Sequence, residues 1–291
     1  MVKRWTEDVG VVAWGSYIPK IFRGDIDEDT NSFCLNVVAE MKKGWPGLDL
    51  KKVGAVYVGS ESFPYAVKPV VSIVSQQLGN EEIAGANLEF ACKAGTAAMR
   101  AAILEVASGA CKYALAMGAD ISQARPNDVL AKTVGAGAGG VIMGTNKQEI
   151  LARVLWMGAV ASDTPDFWRR SGQVFPEHTD RFTGAPSYLR TVNAMVEKLL
   201  TASRLKPEEF DFVILHSPNI KFPDLVAKKF RFRDQALVHR ELFPQVKNAY
   251  AGSAPLGLCW ALTKAKTGDR ILVVSYGSGA GSDGFIFEVS K

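Results

Sequence analysis

Cys92 stands between the apolar stretch Asn87-Leu-Glu-Phe-Ala and the alanine-rich run Thr96-Ala-Ala-Met-Arg-Ala-Ala-Ile-Leu-Glu-Val, which reads as a helix. A thiol just ahead of a helix faces unpaired backbone N–H groups and the positive end of the helix dipole, and both favour the thiolate. Lys93 follows and Gly95 allows close backbone approach, so the segment reads as the turn of a nucleophile. Cys34, Cys111 and Cys259 lie in apolar or helical patterns without a spaced partner and read as small core hydrophobes. This arrangement predicts no disulfide framework and no metal site, and points to a reducing, cytoplasmic compartment.

Three further segments carry chemistry. Glu61, in Ser60-Glu61-Ser62, ends the apolar run that begins at Val53; taken alone, it reads as a turn carboxylate capping nearby N–H groups. His216, one of three histidines, ends Phe212-Val-Ile-Leu, where a solvated histidine is unexpected, whereas His178 and His239 fall in polar or charged loops. Asn248-Ala-Tyr250-Ala-Gly252-Ser253 and Gly277-Ser278-Gly279-Ala-Gly281 are turns; the second could offer backbone N–H groups to an oxyanion, although glycines also mark tight turns.

A duplicated unit positions these residues. Leu50 to Glu61 matches Pro207 to Pro218, each an apolar strand ending in a polar turn, and Cys92 to Gly118 matches Ala251 to Gly277 as helix, glycine turn and buried strand. The strands are near-continuous apolar runs alternating with helices, which predicts α/β architecture with largely parallel sheets covered on both faces. Two fused copies give a five-layered αβαβα sandwich with central helices. Gly-Thr-Asn-Lys at 144–147 divides the copies into residues 1–146 and 147–291. Ligands meet open α/β sheets at the carboxyl ends of strands, so Glu61 and His216 occupy matching places.

With 291 residues and 47% hydrophobic content, the chain can bury a substantial core. The net charge of +4 is spread along the chain, without a basic run or a nucleic-acid motif, so no nucleic-acid partner is expected. No apolar run reaches the length that spans a bilayer.

The segments from Tyr57-Val-Gly-Ser-Glu61 and Leu88-Glu-Phe-Ala-Cys92-Lys-Ala-Gly-Thr-Ala through Asp163-Thr-Pro-Asp166-Phe-Trp, His216-Ser-Pro-Asn, Asn248-Ala-Tyr-Ala-Gly-Ser and Val274-Ser-Tyr-Gly-Ser278-Gly-Ala-Gly closely resemble the archaeal-type hydroxymethylglutaryl-CoA synthases of the thiolase superfamily. The resemblance runs nearly end to end and implies the thiolase fold. It further implies condensation of acetyl-CoA with acetoacetyl-CoA to 3-hydroxy-3-methylglutaryl-CoA, a step of the mevalonate pathway, with no cofactor beyond the CoA thioesters. In these terms Cys92 accepts the acetyl group, Glu61 removes a methyl proton, and His216 serves the acetoacetyl ketone and donates a proton as the alkoxide forms. Asn248 is an amide donor to the acetoacetyl group, Gly277 and Ser278 lie at the thioester oxygen, and Asp166 is an acidic residue near the site, where a helix cap is an equal reading. Lys221 and Lys228 could meet the CoA phosphates, or simply solvate a helix face. Family members are homodimers built on the strand before the nucleophile, and archaeal-type members assemble with a thiolase and a small zinc-ribbon/OB-fold protein.

Three features depart from the family pattern. Lys20 to Thr30 follows the first strand almost at once, where relatives insert a helix and turn that help form the CoA entrance; Phe63 replaces a histidine, and Ser217 a glutamine. Two rivals stay open: a ketoacyl synthase or related acyltransferase using another acyl thioester, which would lack the glutamate, and a non-catalytic scaffold subunit.

Overall fold

The computed structural model describes all residues except 6–7, 21–26 and 122, and the side chains of 180 and 181. Most of the shortened segment after the first strand therefore lies outside the described residues. The first repeat comprises β2 (Gly10–Tyr17), α1 (Thr30–Gly44), β3 (Val53–Gly59), α2 (Val70–Leu78), β4 (Ala84–Leu88), α3 (Ala94–Ala107), β5 (Tyr113–Ile121) and β6 (Ala136–Gly144), preceded by β1 (Val2–Arg4). The second comprises β7 (Ala152–Ala161), α4 (Arg190–Ser203), β10 (Phe212–Leu215), α5 (Lys221–Phe230), α6 (Val238–Val246), α7 (Ser253–Lys264), β11 (Arg270–Val274) and β12 (Gly281–Val289), with β8 (Phe167–Trp168) and β9 (Glu177–His178) as a small ribbon.

The strand orders β4-β3-β5-β6-β2 and β10-β11-β12-β7 are the same path twice, and a parallel bridge from Val213 to Leu237 stands where β4 stands in the first copy. The copies join where Gly10 and Val11 pair with Arg153 and Ala152. β1 crosses over to pair with β7, so the first residues of the chain complete the second sheet.

Packing creates the five layers. α3 and α7 lie between the sheets in one shared core that includes Met99, Ile103, Leu256, Leu258, Val141 and Phe285. α1 and α2 cover the outer face of the first sheet through Phe33, Val37 and Val74, and α4 and α5 cover the second through Val192, Leu199 and Val226. Both sheet faces are therefore covered, but the sheets are mixed rather than largely parallel. Apart from isolated bridges, only β3–β4, β3–β5 and β10–β11 are parallel among the described strand pairs. Among the described residues no α-helix separates β5 from β6 or β11 from β12, and β6 and β12 run antiparallel to their neighbours.

Candidate active site

The first turn of α3 places Cys92 two residues ahead of the helix, with Lys93 as the N-cap. Ala91 is held at φ 50, a left-handed conformation that costs a residue with a Cβ and marks a tightly determined turn. Gly95 is needed for a different reason: a Cβ there would sit 2.2 Å from the Ala251 carbonyl oxygen, where the two repeats cross. Cys92 is 5% exposed and packs with Val134 and Tyr250 beneath Phe167.

Glu61 follows β3, and its carboxyl and the Cys92 thiol are near enough to raise or lower one another's proton affinity. Its Oε1 is buried without a hydrogen-bond partner among the described residues. Burial, then the nearby Asp120 carboxylate, pushes the Glu61 carboxyl up to about 8, against the opposing pull of the thiol and Arg169. Burial and the Glu61 charge likewise push the Cys92 thiol well above its ordinary range. The expected thiolate is thus corrected to a thiol: desolvation and a neighbouring carboxylate outweigh the helix dipole.

Asp120 is the residue that sequence reasoning missed. It is fully buried near the end of β5 and accepts from Ser60 Oγ at 2.7 Å, Ser62 Oγ at 2.6 Å, the Glu61 N–H at 2.8 Å and, on its other oxygen, the Ala251 N–H at 2.8 Å. It ties the Glu61 turn to the turn ahead of α7. A charged residue closing the apolar run Tyr113-Ala-Leu-Ala-Met-Gly-Ala-Asp120 was the available signal, by the same strand-end rule that singled out Glu61 and His216.

His216 follows β10, is 1% exposed, and has no hydrogen-bond partner on either ring nitrogen among the described residues. Burial pushes it down to about 3, so the ring is neutral and both nitrogens are available to a ligand. Its backbone is fixed on both sides: its N–H donates to Val274 O at 2.9 Å, and its carbonyl accepts from the Tyr188 hydroxyl at 2.6 Å. The other histidines are not in loops as expected. His239 is buried in α6, 3.0 Å from Asp224, and His178 sits in β9, 3.0 Å from Asp128.

Asn248 is buried, and its Oδ1 accepts from the Tyr250 N–H at 3.1 Å, so its amide shapes the turn before α7. In the glycine loop, the Gly277 N–H donates to Gly281 O, Ala280 and Gly281 donate to Gly277 O, and the Gly279 N–H donates to Asp166 Oδ1. The Gly277 N–H is therefore taken up within the loop, and the Ser278 N–H is the one in the loop with no acceptor among the described residues. Asp166 is fully buried, but not as a helix cap: Thr164 Oγ1 and the Tyr276 hydroxyl, each at 2.7 Å, and the Gly279 N–H at 3.0 Å occupy its carboxylate. It braces the loop. Lys221 and Lys228 are exposed near opposite ends of α5, and neither lines the cleft over Glu61. Phe63 packs against the outer core of the first sheet, and Ser217 Oγ turns back to Leu215 O at 2.8 Å, so neither departure reaches into that cleft.

The cleft, of about 230 Å³, is lined by Glu61, Gln123, Arg169 and Tyr250 among others. A second hollow lies over Ser278 and Ala280, and Glu89, Ala91, Phe167 and Trp168 border both. Arg169 clasps the rim by donating to Glu61 O at 2.7 Å. Phe167 meets the Tyr250 ring edge-on, with centroids 5.9 Å apart.

Residues 20–148 match the family described as hydroxymethylglutaryl-coenzyme A synthase N terminal, and residues 200–289 match 3-oxoacyl-[acyl-carrier-protein] synthase III C terminal. The chain is 42% identical to the hydroxymethylglutaryl-CoA synthase of Thermoplasma acidophilum over 98% of its own length and 81% of that protein. It is 40% identical to that of Methanopyrus kandleri over 98% of its length and 89% of the relative. Among solved structures, MvaS in complex with 3-hydroxy-3-methylglutaryl coenzyme A aligns with a TM-score of 0.84 at 21% identity, covering 98% of this chain and 85% of that one. The β-ketoacyl-[acyl carrier protein] synthase III of Thermus thermophilus aligns at 0.85 and 18% identity, covering 96% and 98%. The fold is that of the thiolase superfamily, and at 40% identity along nearly its whole length the chain belongs to the hydroxymethylglutaryl-CoA synthase family.

Proposed function

We propose that the protein condenses acetyl-CoA with acetoacetyl-CoA to 3-hydroxy-3-methylglutaryl-CoA through an acetyl thioester on Cys92. The observation that carries this reading is the buried Cys92 thiol ahead of α3, packed with Tyr250, together with the buried Glu61 carboxyl whose Oε1 has no hydrogen-bond partner among the described residues. Glu61 takes the thiol proton as sulfur attacks the acetyl thioester, and returns it to the departing CoA sulfur. The regenerated carboxylate then removes a proton from the acetyl methyl, and the carbanion equivalent adds to the ketone of acetoacetyl-CoA. A carboxylate poised near neutrality suits both transfers better than a solvated one. The neutral His216 ring offers an N–H to that ketone and supplies the proton as the alkoxide forms, and the Ser278 N–H faces the thioester oxygen. Water cleaves the Cys92 thioester, giving one hydroxymethylglutaryl-CoA and one free CoA per cycle.

The synthase III-like second half favours one rival, a ketoacyl synthase acting on another acyl thioester. Glu61 separates the two, because simple ketoacyl transfer has no use for a base at that place. The same reading treats residues 1–146 and 147–291 as two units. It makes the protein a homodimer through β4, which among the described residues pairs with β3 alone and is exposed over its first residues. It also places the protein in the cytoplasm and gives it a thiolase and a small zinc-ribbon/OB-fold protein as partners.

Incubation with both CoA thioesters, following free thiol and product by chromatography, tests the activity. Cys92→Ala is expected to abolish product, and Glu61→Gln to lower turnover by roughly 10²- to 10⁴-fold. Acyl transfer to a different acceptor without condensation would contradict the proposal.

A further inference from the structure

The nucleophile turn and the glycine loop come from different repeats, yet they touch. A Cβ on Gly277 would stand 2.7 Å from Lys93 Cγ, 3.0 Å from Phe90 O and 3.1 Å from the Lys93 N. At the same junction, Lys93 Nζ lies 3.0 Å from Asp283 Oδ1, with side chains only 3% and 1% exposed. The Lys93 ammonium also sits 3.8 Å from the centroid of the Phe90 ring. Thr96, in the first turn of α3, closes the junction: its Oγ1 lies 3.0 Å from Asp283 Oδ2, 2.7 Å from Ser275 Oγ and 2.8 Å from Lys93 O. The Asp283 N–H donates to Ser275 Oγ at 3.2 Å. Ser275 and Asp283 flank the loop that carries Ser278.

A buried ion pair is no better a source of stability than well-packed apolar residues, because both charges must leave water. It does, however, tie one particular side chain of the first repeat to one of the second, which an apolar pair does less selectively. The charges that weigh most on the Cys92 thiol are Glu61 and Asp120, from the first repeat.

Resting on the condensation reading above, we propose that Lys93 and Asp283 form a positioning clamp that holds the Cys92 turn in register with the Ser278 N–H. The thioester carbon and the donor to its oxygen then stay aligned across the junction of the repeats. Errors on the order of 1 Å at reacting atoms cost about a hundredfold in rate, so the clamp acts on turnover rather than on binding.

Lys93→Met combined with Asp283→Asn removes both charges and leaves no unpaired one buried. Wild type and the double variant are mixed with acetyl-CoA, acid-quenched at intervals, and the Cys92 peptide is followed by mass spectrometry, alongside thermal melting and steady-state kinetics. The expected result is a folded variant whose acetylation rate and kcat fall roughly tenfold to a hundredfold, with the KM for acetyl-CoA within about twofold. A folded variant that acetylates at the wild-type rate, or that changes KM alone, overturns the clamp. Asp283→Asn alone is measured in parallel and decides the matter if the double variant does not fold: the same loss supports the clamp and an unchanged rate overturns it. A wild type that never acetylates Cys92 overturns the condensation reading and the clamp with it, whereas a competent wild type with unimpaired variants overturns only the clamp.

Discussion

Glu61 owes its basicity to its surroundings, and each contributor can be removed. Asp120→Asn keeps an acceptor for Ser60, Ser62 and the Glu61 N–H but takes away the second-largest influence raising the Glu61 carboxyl. As a base, Glu61 works deprotonated, so turnover is expected to rise with pH through about 8 in the wild type. In Asp120→Asn that rise is expected at lower pH; a midpoint that stays in place would show that Asp120 does not tune Glu61. His216 sets a different pH dependence. Its folded value of about 3 lies below the ordinary 6.5, so the unfolded chain takes up the proton first as pH falls. Stability from this group is therefore complete above 6.5 and declines on acidification towards 3, by about 1.4 kcal/mol for each pH unit well below 6.5. His216→Leu is expected to flatten the fall in urea-unfolding free energy between pH 6 and 4. An undiminished slope would mean that the ring is not held neutral.

The turns that meet over Cys92 are the elements that matter most, and their fit is tight. Gly277→Ala would drive a methyl group into Lys93 Cγ and Phe90 O, and overpacking of this kind costs roughly 1–3 kcal/mol. A lowered melting temperature and loss of Cys92 acetylation are expected together; a fully active Gly277→Ala enzyme would mean that the loop and the nucleophile turn need not touch. Much of this level was legible in the sequence. The helix after Cys92, the strands ending at Glu61 and His216, and the repeat that aligns them all follow from apolar periodicity broken by glycine or polar turns. The mixed sheet was not legible, because an apolar run carries no sign of its direction and both returning connections lack the helix that would have revealed it. Asp120 was hidden for a related reason: one carboxylate at the end of a strand looks like a boundary until Ser60, Ser62 and Ala251 converge on it. The internal hydrogen bonds that occupy Gly277, Gly279 and Asp166 exist only once the loop has closed.

Across the whole molecule, duplication does the arranging. The shared core between the sheets fixes α3 against α7, and the Asp120 and Lys93–Asp283 networks reach across the same boundary to hold Glu61, Cys92 and Ser278 in one place. Neither repeat carries the whole constellation, because Cys92 and Glu61 come from the first and His216, Asn248 and Ser278 from the second. Cys92 packs with Tyr250 and Phe167, and Phe167 borders both hollows. The most direct measurement is a pulse and chase on the wild-type protein: acetyl-CoA alone, then acetoacetyl-CoA, with peptide mass spectrometry and product quantification at each stage. Acetyl is expected on Cys92 after the pulse, disappearing in the chase with an equal yield of 3-hydroxy-3-methylglutaryl-CoA. Acetyl on another residue, or acetyl-Cys92 that persists unchanged through the chase, would contradict a condensing role for Cys92.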